Sequence, residues 1–370
     1  MQSLDHPLGR TSIQQCESKP IKIRETCASN SQCDTGLWCE TCLANGNTQP
    51  KMQQPDTTYS FHFQRKGLPL NRYSWLTTHN SYALSGATSA TGSGSDQPGG
   101  LRHLSTQCME RVNGVRGLML DIYDYENDIW LCNSLRGICF DLFAFQPAIS
   151  VLKEIKSFLE ANPTKIVTIF IEDYVTSLQG LTKNKRLLVF TSKSSKEASE
   201  GIVYQWRYVV ENQYGDAGMV SGTCPNRAES PALDTMTISL FMENYFPDNP
   251  YVVEACVNNS DPLTTMMQTC HQKAGKRWPN FIAVDFYQIS DGGGAPEAAD
   301  EVNGHLTRGC NNIAYCKDNA TFETCDGPQL APPPPAALPH STDRGLSFAP
   351  LDARPLKLYW LLGIIPALSL

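Results

Sequence analysis

The segment Tyr73-Ser-Trp-Leu-Thr-Thr-His79-Asn80 decides the fold, because a short apolar run ends abruptly in two polar side chains. The pattern recurs where residues 114–120 lead into Asp121 and where residues 165–171 lead into Glu172-Asp173. A parallel barrel builds its active site in this way, from polar residues at the carboxyl ends of several strands. We therefore predict that these side chains meet at one mouth of a barrel.

The region from residue 61 to 328 alternates apolar strands with helical or loop segments, which favours an α/β fold. Strands are predicted over residues 74–78, 117–123, 129–132, 165–172, 186–191, 238–244 and 281–287. A helix is predicted over residues 141–160, with Pro163 as its stop signal. The repeated order and the length indicate a parallel sheet closed into a barrel.

Composition and charge narrow the class of protein. With 370 residues, of which 41% are hydrophobic and 18% charged, the chain can build a substantial core. The net charge of −7 and the lack of a basic stripe argue against a nucleic-acid partner.

Fourteen cysteines indicate a secreted, disulfide-bonded protein. Residues 1–60 form a predicted Cys-rich module and linker, because cysteines crowd a stretch with little apolar material; residues 43–65 are the linker. Zinc or a redox dithiol at Cys39-x-x-Cys42 is the alternative to disulfides. Two glycosylation sequons, at Asn258 and Asn319, agree with secretion, although no signal peptide is visible at the N-terminus.

Residues 329–370 are expected to carry a lipid-anchor signal. A Pro-rich linker, a polar stretch and an apolar tail over residues 356–370 match a glycosylphosphatidylinositol (GPI) attachment signal. This predicts the extracellular face of the plasma membrane, with a tail docked on the protein body as the alternative.

The connection after the predicted strand at 165–172 looks short. Only residues 174–185 remain before the next strand, and they lack an amphipathic pattern. A parallel crossover usually takes a dozen or more residues, commonly a helix. We expect that a helix has been lost here.

Chemistry at the predicted mouth centres on His79. A lone histidine is more often structural than catalytic, but three oxygen donors are expected beside this one. Carboxamide and carboxylate oxygens are the ligands that Ca²⁺ prefers, so Asn80, Asp121 and Glu172 form a candidate calcium site. A buried hydrogen-bond network is the alternative.

These residues resemble the phosphatidylinositol-specific phospholipase C catalytic (X) domain, and more closely the secreted, membrane-anchored plant proteins that carry it. The resemblance covers roughly residues 21–328. It rests on Trp75-Leu-Thr-Thr-His-Asn-Ser81, Gly114-Val-Arg-Gly-Leu-Met-Leu-Asp121, Asp128-Ile-Trp-Leu-Cys132, Val167-Thr-Ile-Phe-Ile-Glu-Asp173, Leu188-Val-Phe-Thr-Ser-Lys193 and Asn280-Phe-Ile-Ala-Val-Asp-Phe-Tyr287. It implies a distorted TIM-type barrel that cleaves phosphodiesters, acting as a monomer on inositol phospholipids or glycolipid anchors at a membrane surface.

Roles for single residues follow from the resemblance. His79 matches the general base, Lys193 matches a position that contacts substrate phosphate, and the calcium positions are those named above. Met119 stands where the family carries a further acidic ligand. Asp285 is a candidate to orient the imidazole, as a carboxylate does in hydrolytic triads. Arg116 is a further candidate for substrate contact, with an ion pair to a carboxylate as the alternative.

Asn133 departs from the family pattern, because it occupies the position of the second histidine, which is the general acid. An amide cannot donate a proton to an alkoxide leaving group, and losing a positioned acid costs ~10²–10⁴ in rate. Three hypotheses follow: an active phosphodiesterase, a silent protein that binds phosphoinositol headgroups, and a structural surface protein.

Overall fold

A computed structural model of the protein describes residues 23–29, 37–42, 44, 49–54, 57, 68–82, 114–134, 137–141, 143–176, 186–316 and 322–325. Its strands are β1 (Trp38–Glu40), β2 (Lys51–Gln53), β3 (Trp75–Thr78), β4 (Val115–Tyr125), β5 (Asp128–Cys132), β6 (Ala144–Pro147), β7 (Val167–Tyr174), β8 (Leu187–Thr191), β9 (Val203–Tyr204), β10 (Val209–Glu211), β11 (Leu240–Tyr245) and β12 (Phe281–Val284). Its helices are α1 (Ala148–Ala161), α2 (Ser194–Glu200), α3 (Gly215–Gly218), α4 (Val252–Asn258), α5 (Asp261–Lys273) and α6 (Ala295–Arg308).

One curled parallel sheet forms the centre of the fold. Its strands lie in the order β10, β11, β12, β3, β4, β7, β8, β9, and every neighbouring pair is parallel. No ladder among the described residues joins β9 to β10, so the sheet is a half-barrel rather than the closed ring that was predicted. Residues 205–208 alone connect these two short strands, which is far too little chain for a parallel crossover.

The α/β, distorted TIM-type fold is therefore confirmed, and all seven predicted strands occur with ends displaced by at most three residues. One of them has a different role, since β5 runs antiparallel to β4. Glu126 and Asn127 both have positive φ between these strands, which is typical of a tight hairpin turn. The 129–132 segment thus belongs to a hairpin beside the barrel and not to its parallel wall.

Alternation along the strands separates two apolar layers. Side chains such as Met119, Phe170 and Met242 point inward and pack inside the barrel. Their neighbours along the strands, such as Leu118 and Ile169, point outward under the helices. Because successive side chains of a strand face opposite sides, each polar residue at a strand end belongs to one layer or the other.

Helices α1, α5 and α6 cover the outer layer with their apolar faces. Val151, Ile155 and Phe158 of α1 are almost completely buried. Helix α1 begins at residue 148 and not at 141 as predicted, since residues 144–147 pair with β5 as β6. Pro147 immediately precedes the helix, a place where its missing N–H and fixed φ are tolerated.

The N-terminal region is attached to the barrel at many points. The disulfide Cys27–Cys39 lies within this region, but Cys42 is bonded to Cys256 of α4. Residues 51–53, predicted as part of a linker, form β2, which pairs with β1 and contacts the loop after β12. The described cysteines form five disulfides, at Cys27–Cys39, Cys42–Cys256, Cys132–Cys139, Cys224–Cys270 and Cys310–Cys325.

Several predictions lie outside the described residues. These are the cysteines at positions 16 and 33, the sequon at Asn319, most of the short crossover (177–185) and the anchor signal within 329–370. The crossover nevertheless joins two parallel strands, β7 and β8. No helix in the described ranges is long and apolar enough to cross a membrane.

Candidate active site

His79 lies at the carboxyl end of β3 and forms a pair with Asp285, which follows β12. The His79 Nδ1 atom is 3.0 Å from Asp285 Oδ1, and the imidazole stacks on the Phe246 ring with centroids 3.8 Å apart. The His79 side chain keeps 18% of its surface exposed, whereas that of Asp285 keeps 3%. Because a carboxylate only accepts, Nδ1 carries the proton and Nε2 is left as an acceptor.

Electrostatics favour the protonated form of His79. Burial opposes its charge, but the neighbouring carboxylates Asp285, Asp121 and Glu172 outweigh burial and raise the pKa of His79 above its ordinary value. The same interactions show that the three predicted carboxylates lie around one imidazole. His79, Asp285, Asp121 and Glu172 therefore meet at one end of the sheet.

Asp121 and Asn80 share one partner, the hydroxyl of Tyr82. This oxygen lies 3.0 Å from Asn80 Oδ1, 3.2 Å from Asp121 Oδ2 and 3.0 Å from the main-chain oxygen of Cys132. Burial, and next the charge of Glu172, raise the pKa of Asp121 to about 8. Asn80 itself has φ of 44°, a left-handed conformation that asparagine adopts more readily than most residues.

Arg227 brings a fixed positive charge to the same end of the sheet. Its guanidinium lies 3.3 Å from Glu172 Oε1, 3.1 Å from Glu211 Oε1 and 3.2 Å from Glu229 Oε2. It is also held between the rings of Trp206 and Tyr214, at 5.0 and 4.7 Å from their centroids.

The buried Glu211 holds the Arg227 guanidinium in place. Its second oxygen, Oε2, accepts hydrogen bonds from Gln205 (2.9 Å) and Trp206 (2.8 Å), and Oε1 also accepts one from Asn244 (2.8 Å). A carboxylate with this many donors is stable in a buried position. The guanidinium is therefore held in place by Glu211, with Glu172 and Glu229 as its further partners.

Arg227, Glu211 and Asn244 were not among the predicted site residues. The pattern used for the other strands applies to two of them, since the apolar pair Val209-Val210 ends in Glu211-Asn212 and the apolar run at 240–242 ends in Glu243-Asn244. Arg227 comes from an irregular loop between β10 and β11. Its position has no periodic signal.

Two predicted substrate contacts lie elsewhere. Lys193 Nζ is 3.1 Å from the Val175 main-chain oxygen and 3.8 Å from Asp173 Oδ1. Asp173 is paired in register with Ile122, whose side chain belongs to the outer layer, so Lys193 is directed away from His79. This placement does not fit the predicted phosphate contact.

Arg116 is the second misplaced residue. It lies near the amino end of β4, five positions before Asp121, which is about 16 Å along a strand. Its guanidinium donates to the Val115 main-chain oxygen (2.6 Å) and covers the Phe158 ring of α1. Arg116 therefore lies at the opposite end of the barrel from His79.

Asn133 follows Cys132 directly and so lies next to the Tyr82–Asp121 contact. Its main-chain N–H donates to the Phe143 oxygen (3.1 Å), and the disulfide Cys132–Cys139 closes the loop around it. The position of the family's second histidine is therefore beside the His79 group.

Calcium fits these residues poorly. The Tyr82 hydroxyl lies within hydrogen-bond distance of both the Asn80 and the Asp121 oxygens and can donate its single proton to one acceptor, while Glu172 accepts from Arg227. Within the described ranges, no group of three or more His, Cys, Asp or Glu side chains has a geometry that would hold a metal ion. The Arg227 guanidinium, at 3.3 Å, is the cation that pairs with Glu172, one of the three predicted calcium ligands.

Comparison with known proteins gives the family. No family model matches the chain. Two solved phosphatidylinositol-specific phospholipases C, from S. aureus and Listeria monocytogenes, align with TM-scores of 0.36 and 0.32 at 13% identity each; they cover 64% and 60% of this chain and 92% of each of those chains. A PI-PLC X domain-containing protein of Arabidopsis thaliana is 42% identical over 343 residues, which are 84% of this chain and 80% of that protein. With this identity over most of both sequences, the chain belongs to the PI-PLC X domain-containing proteins.

Proposed function

We propose that the protein is a phosphoric diester hydrolase that cleaves inositol phospholipids or inositol-glycan anchors by attack of the inositol 2-hydroxyl on phosphorus. Family membership supports phospholipase C-like chemistry in general terms. The observation that carries the finer proposal is the His79–Asp285 pair, at 3.0 Å, together with Arg227, whose guanidinium is paired with Glu172, a carboxylate that acts electrostatically on His79.

His79 is the general base in this proposal. Asp285 holds Nδ1–H, so Nε2 accepts the proton of the 2-hydroxyl as its oxygen forms the new bond to phosphorus. The bond from phosphorus to the diacylglycerol oxygen breaks, and the departing oxygen takes up a proton from water, because Asn133 cannot donate one. The products are a cyclic inositol phosphate and diacylglycerol.

The pH dependence follows from the same pair. His79 must be neutral to accept a proton, and its pKa is raised above 6.5. We therefore expect kcat to rise with pH as the imidazolium loses its proton. The midpoint of this rise should lie above the pKa of an ordinary histidine.

Arg227 supplies the positive charge that the reaction needs near phosphate. A guanidinium forms paired hydrogen bonds with phosphate oxygens, and a prepositioned cation stabilises the charge that develops in the transition state. Glu172 is its partner without substrate, and phosphate would compete with Glu172 for it. No step depends on calcium, and a chelator is expected to leave activity unchanged.

A membrane surface is the proposed place of action. Apolar side chains are exposed in two places, with Ile138 and Phe140 in the loop after β5 and Tyr251 and Val253 at the amino end of α4. Exposed apolar clusters of this kind are typical of membrane or protein interaction sites. Five disulfides among the described residues support an oxidising, extracellular location.

A silent headgroup-binding protein is the second candidate. Asn133 cannot protonate the leaving oxygen, and Met119 replaces an acidic position. Binding by Arg227 and the mouth residues would persist without turnover. The third hypothesis, a structural surface protein, draws no support from a mouth that holds this many converging polar groups.

The test is release of cyclic inositol phosphate from phosphatidylinositol vesicles, followed by phosphorus NMR. We expect wild-type protein to give product with EDTA present, and His79→Ala to give ~10²–10⁴-fold less. The exposed Arg207→Ala variant, whose side chain pairs with Glu197, is the matched control and should retain wild-type activity. Equal product from wild type and His79→Ala would reject the enzyme and leave the binding protein.

A further inference from the structure

The loop between β12 and α6 carries Asp285 and is held from two sides. Residue 286, which follows Asp285, is a buried phenylalanine with φ of 46°. A bulky residue persists in this left-handed conformation only where its surroundings fix it. The loop conformation, and with it the place of Asp285, therefore depends on those surroundings.

Asn259, at the corner between α4 and α5, holds the first side of the loop. Its side chain is almost fully buried, and its Nδ2 lies 2.8 Å from the Asp285 oxygen, 3.1 Å from the Phe286 oxygen and 3.2 Å from the Ile289 oxygen. One amide group thus fixes three main-chain oxygens, including that of the residue bound to His79. Nearby, the Asp291 N–H donates to Ser260 Oγ at 2.6 Å.

Strand β2 of the N-terminal region holds the second side. The buried Gln53 Oε1 accepts from the Ser290 N–H (3.1 Å) and the Ser290 hydroxyl (2.8 Å). Lys51 Nζ forms an ion pair with Asp291 Oδ2 at 2.7 Å. Gln53 and Lys51, which are far from this loop in sequence, therefore contact it from outside the barrel.

The disulfide Cys42–Cys256 ties the two sides together. Cys256 lies in α4, three residues before Asn259, and its main-chain oxygen accepts from the Asp291 N–H at 2.8 Å. Cys42, Ala44 and Cys256 form a small buried cluster, with Ile289 of the loop packed against it. The disulfide thus links the N-terminal region covalently to α4, and hydrogen bonds and packing link both of them to the Asp285 loop.

We propose that Asn259 is a positioning residue for the His79–Asp285 pair, and that the N-terminal region, through Cys42–Cys256 and β2, is part of the active-site scaffold. This rests on the proposed function for its consequence in catalysis, but the geometry it asserts is independent of turnover. The N-terminal region is then not a separable module, because the orientation of the catalytic base depends on it.

The tautomer of His79 is the readout, because general loss of stability does not change it in the molecules that stay folded. With Asp285 in place, neutral His79 is the Nδ1–H form. Imidazole ¹⁵N shifts, recorded on full-length protein at a pH where the ring is neutral and assigned with His79→Gln, give the tautomer directly. Asp285→Asn provides the reference for a lost pair.

Asn259→Leu is the main variant, since it keeps the volume and removes the three hydrogen bonds. We expect the fraction of neutral His79 in the Nδ1–H form to fall to the fraction seen in Asp285→Asn. We also expect kcat to fall ~10²-fold, with KM within twofold of wild type. The double variant Cys42→Ser, Cys256→Ser should shift the tautomer in the same direction by a smaller amount. Gln53→Leu tests the second side if Asn259→Leu does not fold.

The matched control is Cys310→Ser, Cys325→Ser, which removes a disulfide from the far end of α6. It should lower the melting temperature and leave the His79 tautomer unchanged. The proposal is overturned if the folded Asn259, Gln53 and Cys42/Cys256 variants all keep the wild-type tautomer. A shifted tautomer in a protein that gives no product would uphold the scaffold and reject the proposed function instead.

Discussion

The lower and upper halves of the barrel interior are built by the same strands and differ in chemistry. In the lower half Phe170 packs on Phe190 and Phe281, with ring centroids 5.3 and 4.9 Å apart. Two residues further along each strand, on the same face, the side chain is polar. These lower and upper pairs are Met119 and Asp121, Phe170 and Glu172, Val209 and Glu211, Met242 and Asn244, and Ala283 and Asp285.

Two residues along each strand thus separate the lower, apolar layer, which stabilises the fold, from the upper, polar layer, which holds the proposed catalytic groups. The apolar layer gains free energy by burial, whereas a buried polar layer is stable only when its members satisfy one another. Glu211 with its four donors is an example. Substitutions in the lower layer should therefore act on unfolding, and substitutions in the upper layer on turnover.

Phe170→Ala is expected to have the largest effect on stability. The residue is 2% exposed, and removing its ring leaves a cavity beside the rings of Phe190 and Phe281. The free energy of unfolding should fall by ~3–5 kcal/mol in a denaturant titration. Activity per folded molecule should change less than tenfold; a loss as large as that of His79→Ala would show that the two layers are not separable.

Asn133→His tests the upper layer in the direction of gain. A histidine here would supply the missing proton donor beside Asp121, so kcat should rise by ~10²-fold, about 2.7 kcal/mol of barrier. The unfolding free energy should change little, because Asn133 is only partly buried. An unchanged kcat, with correct folding shown by circular dichroism, would place the limitation elsewhere in the site.

Glu243→Met should stabilise the protein. The Glu243 side chain belongs to the outer layer of β11, is fully buried, and among the described residues neither of its carboxyl oxygens has a hydrogen-bond partner. Burial raises its pKa well above the ordinary 4.5. An apolar side chain of similar size removes this cost, which is ~1–3 kcal/mol at pH 7.

The pH dependence of this effect has a definite sign. Because the folded protein binds the Glu243 proton more tightly than the unfolded chain, stability is lost as pH rises from about 4.5 toward the raised folded pKa. The gain from Glu243→Met should therefore grow with pH over that range. Chemical denaturation at several pH values checks this, and a gain that is constant with pH would contradict it.

Lys193→Met should have the smallest effect. Its side chain is 40% exposed, and its ammonium is directed toward Asp173 in the outer layer. We expect kcat/KM to change less than about threefold, under ~0.7 kcal/mol. A tenfold or larger rise in KM for phosphatidylinositol vesicles would show that Lys193 contacts substrate. It would contradict the assignment of Lys193 to the outer layer.

Much of this architecture is predictable from local sequence. The apolar runs that end in His79, Asp121 and Glu172 gave both the strands and the convergence of these residues, since parallel strands align their carboxyl ends. The two-residue alternation along β8 also predicts the orientation of Lys193, which lies on the same face as Thr191 and on the opposite face from the inward-pointing Phe190.

Other features have no local signal. Arg227 comes from a loop, and only three-dimensional structure brings it to Glu172. The Cys42–Cys256 disulfide joins residues 214 positions apart, and spacing alone cannot give disulfide connectivity. The two short strands β9 and β10, which leave the barrel open, are too brief for a periodic pattern to be recognised.

A crystal structure with myo-inositol 1-phosphate tests the central claim most directly, because it locates the site whether or not the protein turns over. We predict that the phosphate lies within hydrogen-bond distance of both His79 and Arg227, with Glu172 displaced from the guanidinium. Ligand found instead in the polar groove between α5 and α6, beside Gln268 and His271, with the mouth empty, would contradict the account.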